Sequence, residues 1–314
     1  MLSRVAERLY WASRYLERAE NIARLANVYA RMLLDLPRNL DLGWHTLVVI
    51  MGDEEPFEQR YRRWDERNVA KFLLLDRDNS GSLISSLRMA RENVRTTRDV
   101  LPREAWEEVN EIYLAARGFV SGRPPSRSDR ERLTDLVIGG CQRLSGMLSS
   151  TMSAGDAYRF MRLGRNLERA DMTTRILDVG AATRMEADEA QRAALESLLW
   201  INVLRSLSAY QMYRQHVRNR VKAADVIRYM VLDTEFPRAL AFCVGQIEAS
   251  FKELPGGTTS LSCLSECHSL LTTERVPTER GDDLHRYLDH FQLALGTVHD
   301  RIADTWFRLD RPAA

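Results

Sequence analysis

The chain is poor in the residues that interrupt helices. Sixteen glycines and nine prolines in 314 residues fall below the roughly 12% usual for globular domains, and aromatics make up only 8%. The shortage of turn formers argues against an architecture of many short strands. Four cysteines are too few for a disulfide framework at this length and fit reduced thiols. No apolar run reaches 18 residues, which excludes a hydrophobic membrane span. Arg4, Glu7 and Arg8 stand where a signal peptide needs an apolar core, so a soluble, cytoplasmic protein is expected. Charge of one sign is also missing. Forty-five basic and 44 acidic residues leave a net +1, without the broad positive footprint of a nucleic-acid or anionic-membrane binder. Lysine is nearly absent: Lys71, Lys222 and Lys252 are the only three. The other cations are arginines, suited to bidentate pairing with carboxylates, although a GC-rich genome produces the same bias.

What is present is a repeat. Arg14-Tyr15-Leu16-Glu17-Arg18-Ala19-Glu20, followed by Arg24, reappears 151 residues later as Arg165-Asn166-Leu167-Glu168-Arg169-Ala170-Asp171, followed by Arg175. A second block, from Val69 through Lys71-Phe72-Leu73 and Leu75-Asp76 to Leu83, matches Val226, Arg228-Tyr229-Met230, Leu232-Asp233 and Leu240 at an offset of 157. Trp44 and Trp200 fall between the blocks in the same order. The expectation is one domain over residues 1–314, duplicated internally as about 1–153 and 154–314, with its halves related by a pseudo-two-fold.

Hydrophobic periodicity near 3.6 runs through both halves, and no convincing strand appears. The pattern predicts an all-α bundle of about twelve helices. Those of the first half fall at about 3–35, 40–51, 56–75, 82–99, 103–121 and 128–152. Those of the second fall at about 155–186, 188–220, 222–233, 237–254, 259–274 and 282–309. Ser3 caps the first helix and Leu36-Pro37 ends it. Gly52-Asp53 separates the second from the third, and Ser128 with Glu131 reads as a capping box. Arg123-Pro124-Pro125 is too short for a flexible linker between independent domains.

The repeated block concentrates its polar residues. At 100° per residue, Arg14, Glu17, Arg18, Asn21 and Arg24 form one stripe, opposite a side carrying Val5, Ala12, Leu16, Ala19 and Ala23. Arg165, Glu168, Arg169 and Arg175 repeat the geometry. A solvated face with Arg14–Glu17 and Glu20–Arg24 pairs would contribute only about 0.2–0.5 kcal/mol per pair. Yet three arginines share one stripe carboxylate, and Arg14 and Arg18, four apart, repel unless an anion lies between them. These eight residues are therefore candidates for a paired site binding carboxylate or phosphate groups through forked donors, and both stripes are expected to line one central cleft.

Rival chemistry is weaker. Glu17-x-x-Glu20 and Glu168-x-x-Asp171 supply four carboxylates from two helices, but the histidines of a di-metal bundle are missing, and Glu20 is turned 60° from Glu17. No metal is expected. Asp76 to Gly81 opens like a calcium loop but has Leu87 where the bidentate glutamate belongs, so Asp76 and Asp233 read as turn formers. Cys263-x-x-x-Cys267-His268 lacks a second ligand pair. His285, Asp289, His290 and His299 read as solvated or capping groups. The Pro255-Gly256-Gly257-Thr258 turn lacks the lysine of a phosphate loop. Neither a serine elbow nor a dinucleotide fingerprint occurs, and no cofactor is implied.

The opening Leu9-Tyr10-Trp11-x-x-Arg14-Tyr15-x-Glu17-Arg18-Ala19-Glu20-Asn21-x-Ala23-Arg24, the second Leu167-Glu168-Arg169-Ala170-Asp171 and the length resemble the Alpha-E family of bacterial all-helical proteins. Genes of that family commonly neighbour those for a circularly permuted ATP-grasp enzyme and a transglutaminase-like cysteine peptidase. The resemblance thus implies a system that makes or modifies peptides by amide ligation, with an ATP-grasp amide ligase as partner, and puts the family's characteristic glutamate on Glu17, with Glu168 its match. The expected function is an accessory or binding component that engages the ligase, or an anionic or peptidic ligand, through the Arg/Glu stripe. The alternative is an enzyme with Glu17 or Glu168 as general base, although arginines around a glutamate weaken it as a base. For an anion site, Glu17→Gln is expected to change stability modestly and ligand affinity more than about tenfold.

Overall fold

The computed structural model describes all residues except 36–42, 121–123, 183–188, 273, 274, 278, 280 and 309–314. The expected stop at Leu36-Pro37, Arg123 of the proline stretch and the last residue of the final helix lie outside the described residues. Among the described residues every regular element is helical. The first half holds α1 (Ser3–Asp35), α2 (His45–Met51), α3 (Glu54–Glu58), α4 (Glu66–Leu74), α5 (Leu83–Arg95), α6 (Arg103–Arg117) and α7 (Arg127–Thr151). The second holds α8 (Asp156–Ala182), α9 (Glu189–Ser206), α10 (Tyr210–His216), α11 (Ala223–Leu232), α12 (Leu240–Glu253), α13 (Ser265–Leu270) and α14 (Asp282–Ile302). Single 3₁₀ segments cover Arg98–Val100 and Gly257–Leu264, and a π-helical turn, Ala303–Phe307, extends α14.

The first helix starts where the sequence places it, at Ser3, and is helical through Asp35, the last described residue before 43. The expected helix over 56–75 is instead broken: Asp65 accepts the Asn68 amide and caps α4 as a new helix, while the intervening turn stacks Trp64 on Phe57 at 4.2 Å. The segment over 188–220 also divides. Ser208, at φ 55°, ends α9 with Ala209 N bonded to Leu204 O and Ser208 N to Arg205 O, the pattern in which a left-handed residue satisfies the last carbonyls. Ahead of α7 the capping box is Ser126 with Asp129, two residues before the expected Ser128 and Glu131.

The core forms around two long helices. Ala12, Ala19 and Ala23 of α1 are fully buried, and the helix packs on α5, α7 and α8, its most extensive partner being α8. Asn27 reaches Asp135, and Cys141 Sγ lies 3.7 Å from Leu16 O, so α7 runs antiparallel to α1. The chain reverses again before α8, which therefore runs alongside α1 in the same direction. Close approach rests on Gly164: a Cβ there would collide with the Tyr10 carbonyl and the Ser13 hydroxyl. On its other sides α8 packs against α12 and α14. Among the described residues, no helix is long and apolar enough to cross a membrane. All four cysteines are free.

Candidate functional site

Parallel packing of α1 on α8 brings the two polar stripes face to face. Glu168, fully buried, accepts Arg14 Nε at 2.8 Å on Oε2 and Arg18 Nε at 2.6 Å on Oε1. The anion that the Arg14–Arg18 repulsion demanded is thus the glutamate of the other repeat. Reciprocally, Arg169 Nε lies 3.0 Å from Glu17 Oε2, close enough for an ion pair but off the line of a hydrogen bond. Each Glu-Arg dipeptide therefore clasps the other: Arg18 on Glu168, Arg169 on Glu17.

Arg238, in the turn between α11 and α12, completes the network. Its Nη1 donates to Glu17 Oε1 at 2.6 Å and to Asn21 Oδ1 at 2.7 Å, and its Nη2 to Glu20 Oε1 at 3.2 Å. Sequence reasoning missed it because nothing matches it in the first half: at the 157-residue offset its counterpart is Gly81. Glu20, placed off the stripe, also joins through Arg24 Nη2 at 2.6 Å. Arg175 pairs with Asp171 at 2.9 Å. The expected Glu20–Arg24 pair forms, whereas Arg14 turns across the interface to Glu168. Arg165 has no carboxylate partner among the described residues. Its Nη1 donates to Ser145 Oγ at 3.1 Å, and its Nε is buried without a partner.

Burial alone would push both glutamates up, but the adjoining guanidiniums prevail. Arg169 and Arg238 hold Glu17 down to about 2, and Arg14 and Arg18 hold Glu168 below the usual carboxylate range. Both are anions at neutral pH and poor proton acceptors.

The eight candidate residues do not line one cleft. Glu17, Arg165 and Arg169 border a narrow pocket between α1, α7 and α8 with Glu20, Ser13 and Ser145. Arg14 and Arg175 border a separate cleft of about 460 Å³ between α8 and α14, with Asp171, Asp289, Gln292 and His299. Arg18, Arg24 and Glu168 border neither. The division follows from the packing itself, because interdigitated stripes fill the space between the helices that an empty shared cleft would need.

The four carboxylates considered for a metal each hold an arginine instead. Among the described residues, the donors able to gather round an ion are Asp178, His285 and Asp289, whose ligand atoms lie within 4.8 Å of one another. His285 spends both nitrogens on that group, Nδ1 at 2.8 Å from Asp178 Oδ1 and Nε2 at 3.3 Å from Asp289 Oδ2, and these carboxylates raise its pKa. His299 is not a solvated group: its Nδ1 lies 2.7 Å from the hydroxyl of the buried Tyr10. Asp76 and Asp233 act as turn formers, accepting the amides of Asp78 and of Glu235 and Phe236.

A family described as a predicted alpha-helical domain with a conserved ER motif, Alpha-E, matches residues 1–307. The chain belongs to the Alpha-E family. The Glu-Arg dipeptide occurs seven times in the chain, and the copies at 17–18 and 168–169 form the reciprocal clasp. Uncharacterized proteins of Mycobacterium bovis and Mycobacterium tuberculosis are each 26% identical over 277 residues, 82% of this chain and 30% of theirs. The chain thus spans about a third of the length of these curated relatives. No solved structure matches.

Proposed function

We propose that this Alpha-E chain is an accessory or binding component of an ATP-grasp-dependent peptide or amide ligation system, and that the ER motif of the family is the clasp of Glu17-Arg18 with Glu168-Arg169. In this reading the duplicated Arg/Glu network is a scaffold, and an anionic or peptidic ligand binds beside it. The observation that carries the reading is that Arg14 and Arg175, one from each stripe, both border the 460 Å³ cleft between α8 and α14, a volume within the range of ligand pockets. Because Glu168 and Asp171 fix these guanidiniums, their positions are set before any ligand arrives, which reduces the ordering cost of binding. The low proton affinity of Glu17 and Glu168 favours this reading over an enzyme that uses either as general base. The ligase partner enters through the family resemblance.

Affinity capture on an ATP-grasp amide ligase of the same organism tests the proposal. Retention of the chain by the ligase, or binding of short acidic peptides to the purified chain, is expected. Failure of both, together with turnover of acidic peptides by the chain alone, would replace it with the enzymatic alternative.

A further inference from the structure

Resting on the reading that the α8–α14 cleft takes a peptidic ligand, we infer that it holds a short peptide by its two charged ends, the terminal carboxylate accepting from His299 Nε2–H and Arg14, and the terminal ammonium facing Asp289.

The carboxylate pole is built from α1 and α14 together. Tyr10 is fully buried, its hydroxyl 2.7 Å from His299 Nδ1 and 3.4 Å from Arg14 Nη1. A guanidinium can only donate, so the phenol accepts from Arg14 and places its single proton on Nδ1. That fixes the imidazole proton on Nε2, the nitrogen without a partner among the described residues. Burial keeps the phenol protonated, pushing it up to about 12. Burial, with the neighbouring Arg14, also lowers His299, so the ring is neutral and offers one oriented donor. Arg14 adds positive charge: Glu168 takes its Nε and Tyr10 its Nη1, leaving Nη2.

The opposite pole lies along α14. Asp289, Gln292, Gly296 and His299 border the cleft at helical spacing, and at a rise of about 1.5 Å per residue the ten steps from Asp289 to His299 span roughly 15 Å. Four extended residues at about 3.3–3.6 Å each cover nearly that distance. Asp178 bonds to His285, whereas Glu168 lies near His299, so α14 runs antiparallel to α8. Arg175 and Asp171 therefore border the Asp289 end as a pair, and Asp289, whose Oδ2 lies 3.3 Å from His285 Nε2, keeps Oδ1 as the acceptor. Leu167, Leu293 and Leu295 also border the cleft, and among the described residues Leu293 is the most exposed large apolar side chain after Leu2. They supply apolar contact between the two charged ends.

Tetra-alanine, its C-terminal amide and its N-acetyl form are the probes, followed by calorimetry and by ¹⁵N NMR of histidine-labelled full-length protein. The free protein is expected to show His299 as the Nε2–H tautomer, and tetra-alanine to shift that nitrogen on binding. The amide and the N-acetyl form should each bind at least about tenfold more weakly. His299→Leu should lose as much, and His299→Gln, whose amide N–H lies where Nε2–H does, should retain most of the affinity while both variants melt near the parent. An Nδ1–H tautomer, equal affinity for acid and amide, or no tetra-alanine binding at millimolar concentration overturns the inference. Ligase capture separately decides the broader reading: a chain that retains the ligase but ignores tetra-alanine keeps the accessory role and loses this site.

Discussion

Glu17 and Glu168 hold matched places in the repeated block, yet they are satisfied differently. Glu168 receives both guanidiniums from one helix, Arg14 and Arg18, a single turn apart on α1. Glu17 receives Arg169 from α8 and Arg238 from a turn far along the chain. The matching residue blocks therefore make reciprocal first contacts, Arg18 with Glu168 and Arg169 with Glu17, while the second guanidinium is recruited from whatever lies nearby. The surroundings diverge accordingly. The Glu168 side opens on the larger cleft, where Asp171 and Asp289 offset Arg14 and Arg175. The Glu17 side borders a narrow pocket with Glu20, where Arg165 forms no salt bridge among the described residues and its positive charge helps hold Glu17 low.

The largest expected effect comes from removing either charge. Glu168→Gln leaves Arg14 and Arg18 facing each other around a neutral amide in a fully buried position, and Glu17→Gln does the same to Arg169 and Arg238. Each should cost about 3–5 kcal/mol in chemical denaturation. At 4% exposure, Glu17 is a structural anion, so the modest stability change expected for an anion-site glutamate gives way to this larger one. Since the clasps share one interface, the double substitution should cost less than the sum of the two. Strict additivity would mean that the clasps act independently.

Acid should reproduce part of this loss. Glu17 drops from the ordinary 4.5 to about 2 on folding, and Glu168 moves in the same direction. A depressed folded pKa gives stability that is present above the unfolded value and lost as pH falls through the folded one. Melting temperature should therefore fall between about pH 5 and pH 2, and Glu17→Gln should flatten that slope. A variant with the parent's slope would assign the acid lability to other carboxylates.

Much of this was legible in the sequence, and the parts that were not have physical reasons. The all-α class and α1 follow from periodicity, and Gly52 announces the end of α2, where it stands at φ 69° with its amide on Val49 O. The end of α9 uses the same left-handed geometry with serine, Ser208, so the usual glycine signal is missing and one long helix is expected where two short ones form. At the site, the stripe and the need for an anion between Arg14 and Arg18 were both readable. A stripe seen on one helix does not reveal what faces it. The demand for an outside ligand therefore arose from charge that Glu168, Glu20 and Asp171 answer within the chain, and Arg238 could not be found from a repeat in which it has no match.

A smaller effect distinguishes the two recruited arginines. Arg238 is buried and touches Glu17, Glu20 and Asn21 together. Arg238→Met leaves Glu17 to Arg169, which is poorly aligned as a donor, and removes the donor to the Asn21 carbonyl oxygen. A cost of about 1–3 kcal/mol is expected, measured beside Glu17→Gln to show whether the two losses overlap.

Arg18→Met should have the smallest effect and bears most directly on the difference between the two sites. The Arg18 side chain is 27% exposed against 8% for Arg238, so water screens its bond to Glu168 and solvates part of what its removal uncovers. Arg14 remains on Glu168 through a well-aligned Nε contact at 2.8 Å, and it is relieved of the like charge four residues away that opposes Arg18 in the folded state. Methionine keeps much of the length of the aliphatic stem. Loss of one half-wet ion pair and relief of one repulsion should nearly cancel, leaving a change under about 1 kcal/mol. A loss as large as that of Arg238→Met would show that Glu168 needs both guanidiniums as Glu17 does, and the two sites would then be equivalent in energy although they differ in geometry.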